Sequence, residues 1–294
     1  MKRFIPVLLV IVACGARAAP SLVVLDVGEG QAILLQEESR GILIDTGHPG
    51  MASHLLKRLT ALGVERLDYL ILTHLHPDHA GGYFRLREQF PDTPLLYTGH
   101  PLPVDVRPDL IRWTHQAIAA DRHWRRFLAG DRIHWRGMVI EALWPASFEN
   151  HNLNRHSLVL SVHYRGLKLL LMGDADHEVE KALLEQKRLP REVDLLVAGH
   201  HGAADATGEA FLAAVRPRFT VISVNEENIR GYPSPEVIAR LEQSGTRLLR
   251  TDRDGELRFR LHCEEGDDEP RSDQRSCSIL FSPENGEDGI AVAN

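Results

Sequence analysis

The six residues His74-Leu75-His76-Pro77-Asp78-His79 place three imidazoles and a carboxylate within one turn of chain, directly after the apolar run Leu70-Ile71-Leu72 and just before Gly81-Gly82. Imidazole and carboxylate are the ligand types that hold divalent zinc without a thiolate, and the rigid Pro77 lowers the entropy cost of making them converge. A solvated histidine-rich tract has neither a strand before it nor a glycine pair after it, so the segment reads as a metal loop hung from a strand. One loop cannot supply every ligand. Gly173-Asp174 follows the run Leu169-Leu170-Leu171-Met172, and Gly199-His200-His201-Gly202 follows Leu195-Leu196-Val197-Ala198. Each puts a ligand-type residue at the end of an apolar strand, where α/β sheets place their sites.

Short apolar runs at 22–27, 32–36 and 41–45 predict three consecutive strands, the first two joined by Gly28-Glu29-Gly30. Helical spacing over 51–62 stops at Gly63, residues 67–72 form the strand feeding the metal loop, and a helix follows over 81–89. A strand at 95–97, a helix over 110–126 and two hairpins turning at Arg136-Gly137 and Arg165-Gly166 come next. The second half alternates helices (178–186, 208–215, 234–244) with strands (194–198, 219–224), and strands at 247–250 and 256–261 close the sheet. With 294 residues and 43% hydrophobic content the chain can bury one large core. Two sheets face to face with helices outside both give a four-layer αββα sandwich of the α/β class, its site at the rim between the sheets.

Taken together, Thr73-His74-x-His76-x-Asp78-His79, Gly173-Asp174 and Gly199-His200 resemble the metallo-β-lactamase superfamily of two-metal hydrolases. Several segments resemble one branch of it, the hydrolase domain of the competence DNA-uptake channel protein. These are Leu25-Asp26-Val27-Gly28-Glu29-Gly30-Gln31-Ala32, Leu43-Ile44-Asp45-Thr46-Gly47, Ser157-Leu158-Val159-Leu160, His200-His201-Gly202, Pro233-Ser234-Pro235-Glu236-Val237 and Arg250-Thr251-Asp252-Arg253-Asp254-Gly255. The resemblance implies a single hydrolase domain over 21–262 holding two divalent metal ions, zinc or, according to supply, manganese. It implies His74 and His76 on the first ion, Asp78 and His79 on the second, Asp174 bridging both, and His200 completing the second. The third ligand of the first ion is where this sequence departs from the superfamily. In place of the usual His it has His151-Asn152-Leu153-Asn154-Arg155-His156-Ser157, and the competence branch carries an Asn where Asn154 stands. His156 is the expected donor, with His151 or neither as alternatives. Asp45 is expected to orient a ligand loop. Asp78, His201 and Tyr232 are the expected catalytic groups, the latter two protonating the leaving group or stabilising the oxyanion. Tyr232 is itself a departure, since the branch commonly has Gly-His-Pro where this chain has Gly231-Tyr232-Pro233.

Residues 1–18 read as an export signal, with Lys2 and Arg3, an apolar stretch over 5–13 and the small residues of Ala16-Arg17-Ala18-Ala19. Ile11-Val12-Ala13-Cys14 also resembles a lipoprotein box, with Cys14 as the lipid carrier. The two fates exclude each other, and both send the chain out of the cytoplasm, to the periplasm, the medium or the outer membrane. The stretch is too short to remain as a membrane span. Cys263 and Cys277 flank the acidic residues 264–276 and are expected to form a disulfide within an acidic extension over 263–294. Removing Lys2, Arg3 and Arg17 takes the net charge from −7 to about −10, which as a whole repels nucleic acid. Residues 107–136 differ, with seven Arg against three Asp interleaved with Trp113, Trp124 and Trp135. Such a mixture can grip phosphates and stack bases, with Arg122, Arg125 and Arg126 as candidate contacts. Together these features point to an exported metal-dependent phosphodiesterase or nuclease. A β-lactamase or lactonase, and a metal-stabilised DNA-binding protein at the cell surface, stand beside it as alternatives.

Overall fold

Most strands form where the chain runs apolar for three to seven residues, and nearly every such run is buried. The structure, a computed structural model, describes residues 19–103, 105–148, 152–263 and 277–283. In chain order the first half contains β1 (Ser21–Val24), β2 (Ile33–Glu37), β3 (Arg40–Ile44), α1 (Ala52–Ala61), β4 (Arg66–Leu72), the single turn α2 (Pro77–Ala80), α3 (Tyr83–Gln89), β5 (Leu95–Tyr97), α4 (Asp109–Ala119) and β6 (Trp124–Arg126). The second half contains β7 (Arg132–Trp135), β8 (Met138–Trp144), β9 (Val159–Tyr164), β10 (Leu167–Leu171), α5 (His177–Glu185), β11 (Leu195–Val197), α6 (Glu209–Val215), β12 (Phe219–Ile222), α7 (Pro235–Ser244), β13 (Arg247–Arg250), the turn α8 (Thr251–Asp254), β14 (Leu257–Cys263) and β15 (Cys277–Pro283).

One sheet has the order β15-β14-β1-β2-β3-β4-β5-β6, the other β13-β12-β11-β10-β9-β8-β7. Each begins antiparallel and turns parallel, from β3 through β6 in the first sheet and from β10 through β13 in the second. Parallel strands need crossovers, and those crossovers are the helices. The faces between the sheets form one core, with Ile33, Ile44, Leu160, Leu169, Val197 and Phe259 among its members. Leu55, Leu59, Leu86 and Ile111 from α1, α3 and α4 bury the outer face of the first sheet, and Val179, Leu183, Phe211 and Leu241 from α5, α6 and α7 bury that of the second. This is the expected αββα sandwich.

One expectation needs correction. The helix expected over 110–126 stops at Ala119; the chain turns at Asp121, whose carboxylate accepts from the His123 N–H at 2.8 Å, and then runs as β6 beside β5. Beyond residue 262, β15 pairs along the whole of β14 and buries Ile279 and Phe281 in the core. Cys263 and Cys277 are joined by a disulfide. The export signal with Cys14, His151 and the acidic residues 264–276 lie outside the described residues. Among those described, no helix is long and apolar enough to cross a membrane.

Candidate metal centre

The C-terminal ends of β3, β4, β10, β11 and β12 open onto one rim, and every ligand-type motif found in the sequence lies there. After β4, His76 adopts an extended backbone and Pro77 starts the single turn α2, which carries Asp78 and His79. That loop is held from behind. Thr46 donates its N–H (2.6 Å) and hydroxyl (2.9 Å) to the His79 carbonyl, and the Gln31 N–H reaches the Asp78 carbonyl at 3.0 Å. The approach is close enough that a Cβ on Gly30 would lie 2.1 Å from the same carbonyl oxygen, so only glycine fits there.

Asp45, at the end of β3, is fully buried with φ 62°, a backbone region that Asp enters more readily than most residues. One of its oxygens accepts from the Thr73 N–H at 2.8 Å. The other accepts from the Thr73 hydroxyl (2.8 Å) and the Gln31 amide (2.9 Å), and lies 2.7 Å from His79 Nδ1. A carboxylate only accepts, so His79 carries a proton on Nδ1 and directs Nε2 into the rim. His201 is fixed in the same way, since its Nδ1 lies 2.8 Å from the Ser223 carbonyl. The two Nε2 atoms therefore face each other at 3.1 Å. Asp174 Oδ1 lies 3.0 Å from the first and 3.5 Å from the second, and Asp78 Oδ2 lies 3.8 Å from His201 Nε2. Buried imidazoles and carboxylates converging in this way form a site that favours positive charge.

His74 and His76 stand on the other side of Asp174. His74 Nε2 is 3.5 Å from Asp174 Oδ2 and 3.0 Å from His76 Nδ1, while the Thr73 hydroxyl lies 3.1 Å from His74 Nδ1. Gly173 and Ser157 position Asp174: its N–H donates to the Ser157 hydroxyl at 3.0 Å, and a Cβ on Gly173 would lie 2.3 Å from that oxygen. Burial pushes His74 and His76 below their ordinary values and keeps them neutral. Burial works against charge on His79 too, but the Asp174 and Asp45 carboxylates outweigh it and hold His79 well above its ordinary value. Burial opposes ionisation of Asp174 as well; His79, His201 and His74 reverse that and keep it well below the usual carboxylate range.

Two groups of donor atoms converge among the described residues: His74, His79 and Asp174, and Asp78, His79 and His201. The imidazoles of His79 and His201, facing each other between the Asp78 and Asp174 carboxylates, are a donor set suited to a divalent cation. Two residues lie elsewhere than expected. His201, not its neighbour His200, faces His79. His200 Nε2 is 3.9 Å from Asp174 Oδ2 and 3.1 Å from the Asn154 amide, and its Nδ1 lies 3.1 Å from Asp205. His200 (φ 51°) and His201 (φ 53°) are both left-handed, so their directions are set by a tight turn and not by strand alternation. His156 is buried against His100 and Phe148, with ring centroids at 4.2 and 5.3 Å, while Asn154 lines the rim.

A cleft of about 630 Å³ opens over the cluster, with Glu29, Arg107, Asn154, Ile229, Arg230 and Tyr232 among its walls. Burial pushes the Tyr232 phenol above its ordinary value, so it keeps its proton at neutral pH, and its ring lies 5.6 Å from that of His200. Arg230 escaped the sequence reading. Its Nη1 donates to Asp78 Oδ2 at 3.1 Å, and the only local signal was a basic residue two positions before Tyr232. The arginine and tryptophan segment does not form one surface. Trp135 is buried with its indole N–H on Asp68 at 2.7 Å, Trp124 packs under the helices, and Trp113 is exposed. Arg122, Arg125 and Arg126 are exposed at the edge strand β6; Arg126 pairs with Tyr97, which pairs with Leu72, two strands from the metal loop.

Comparison with known proteins agrees with this arrangement. The sequence pattern of the metallo-beta-lactamase superfamily matches residues 25–224. Competence protein ComA of Neisseria gonorrhoeae is 33% identical over 242 residues, covering 82% of this chain and 32% of that protein. ComE operon protein 3 of Bacillus subtilis is 28% identical over 255 residues, covering 80% and 32%. The chain thus spans about a third of the length of these curated relatives. In fold it is similar to the metallo-beta-lactamase fold protein YhfI from Bacillus subtilis, with a TM-score of 0.53 at 14% identity over 79% of this chain and 96% of that one. Sandwich, rim and matched pattern coincide, and the chain belongs to the metallo-beta-lactamase superfamily.

Proposed function

We propose that this chain is an exported metal-dependent phosphodiesterase acting on nucleic acid. The observation that carries the metal dependence is the pair of Nε2 atoms of His79 and His201 facing each other between the Asp78 and Asp174 carboxylates. In this reading His74, His76 and Asp174 hold one divalent cation, zinc or manganese, and Asp78, His79, Asp174 and His201 hold a second. Asn154 and His200 stand where a further donor to the first would come from. Such cations supply Lewis acidity and lower the pKa of the water they bind. The chain's own part is to fix geometry and protons. Asp45 and the Ser223 carbonyl set the tautomers of His79 and His201, and the Tyr232 phenol offers a proton towards the cleft.

The substrate class rests on the similarity to competence proteins and on the exposed arginines of β6, which flank the rim at roughly 10 Å across two strand spacings. The disulfide supports a location outside the reducing cytoplasm. A substrate panel tests the reading. The purified protein with zinc or manganese should hydrolyse plasmid DNA and bis-p-nitrophenyl phosphate, and a chelator should stop it. Cleavage of nitrocefin alone would make it a lactamase, and DNA binding without any turnover would make it a binding protein. Replacing Arg122, Arg125 and Arg126 together with Gln should lower the salt slope of DNA binding by up to about one unit per lost phosphate contact. An unchanged slope would remove β6 from the interface.

A further inference from the structure

We propose that Arg230 is the substrate-anion clamp of the cleft: a guanidinium parked on Asp78 and Glu29 that transfers to the phosphoryl group of the substrate. This rests on the phosphodiesterase reading above and names the residue that selects an anionic substrate. The loop after β12 is built to present it. The Asn228 side chain donates to the carbonyls of Asn225 (2.6 Å) and Tyr232 (2.7 Å) and accepts from the Tyr232 N–H (2.7 Å), closing the loop on itself. Ile229 and Arg230 stand at its tip, Ile229 almost wholly exposed and the Arg230 side chain 44% exposed. Arg230 Nη1 donates to Asp78 Oδ2 at 3.1 Å, and Nε lies 3.4 Å from Glu29 Oε1.

Two arguments turn this contact into a substrate site. A phosphodiester entering the cleft meets the acidic walls Glu29, Asp78 and Asp174, and among the described residues the arginines lining it are Arg107, whose partner is Asp109, and Arg230, whose partners are Asp78 and Glu29. Of the two, Arg230 is the one held beside the converging donor group. Asp78 also belongs to the converging donor group, and a cation there neutralises the carboxylate that now attracts the guanidinium, which loosens the ion pair and leaves a planar fork beside the next anion in reach. An exposed isoleucine next to that fork gives the remainder of a nucleotide an apolar ledge.

The test is binding of thymidine 5′-monophosphate to the zinc-loaded protein by titration calorimetry, with bound zinc counted by elemental analysis. Losing a charge-assisted bond to a phosphate should make R230Q bind about tenfold or more weakly while keeping its zinc, and R230K should recover part of the loss. E29Q, which removes one of the two parking partners, should tighten binding about twofold to fivefold, and the gain should shrink in the R230Q background. Binding by R230Q equal to the parent, no binding by the parent, or an E29Q gain undiminished without Arg230 would each overturn the clamp. None of these readings requires turnover. Failure of the phosphodiesterase reading would appear separately, as loaded parent protein that leaves bis-p-nitrophenyl phosphate intact.

Discussion

Two sets of buried histidines lie on the same side of this sandwich and differ in everything but burial. His79 and His201 each have Nδ1 fixed by an acceptor and turn Nε2 towards carboxylates. His100 and His156 stack on each other at 4.2 Å with Phe148 across their edges. Burial strips water from both pairs, and the first faces the Asp45 and Asp174 carboxylates. A histidine becomes a cation ligand when a fixed acceptor dictates its tautomer and an anion waits on its other side. The aromatic pair has the packing of a core.

The contrast can be broken most severely at its charged end. Asp174→Asn removes the carboxylate shared by His74, His79 and His201, and turnover should fall by about a thousandfold, several kcal/mol of lost charge stabilisation. Zinc at a thousandfold excess over its Kd should raise the Tm of the parent by about 10 °C and that of this variant far less. Calorimetric scans with and without zinc decide the point, and an equal rise in both would mean that Asp174 is not a ligand. A milder break is Asp45→Asn, which touches no donor atom of the rim but presents an amide to His79 Nδ1. Metal affinity should drop about 10-fold to 100-fold with the fold retained, measured by competition with a zinc-chelating dye. Unaltered affinity would mean that His79 needs no director. The smallest effect on metal should come from the other pair. His156→Ala should cost roughly 1–3 kcal/mol in denaturant unfolding and leave zinc stoichiometry intact, whereas loss of one zinc would make His156 a ligand after all.

The chemistry of the rim was easier to foresee than its precise partners. His74, His76, Asp78 and His79 were legible because four donors on one short loop cannot avoid each other. The two hairpins were legible because Arg136-Gly137 (φ 49°, 82°) and Arg165-Gly166 (φ 47°, 97°) supply the paired positive φ values of a tight two-residue turn. Choosing between His200 and His201 was beyond a periodicity argument, because two successive left-handed residues obey neither a helical nor a strand repeat. The end of α4 was missed because three residues of edge strand, Trp124–Arg126, are too short to show alternation. Arg230 was invisible for a different reason: its partners Asp78 and Glu29 lie 152 positions or more away along the chain, and only the closed sandwich brings them together.

The disulfide has a consequence for the far edge of the first sheet. Cys263 and Cys277 are directly opposed at one end of the pairing between β14 and β15, and Leu257 opposes Pro283 at the other. A strand that slips by a single position turns each of its side chains to the opposite face. In β15 such a slip would expel Ile279 and Phe281 from the core and drive Ser278 and Leu280 inward. The crosslink works as the stop on a zip, fixing where counting starts for a strand that is outermost among the described residues. It also keeps the edge of β14 covered, denying other chains a row of unpaired backbone groups on which to add a strand of their own.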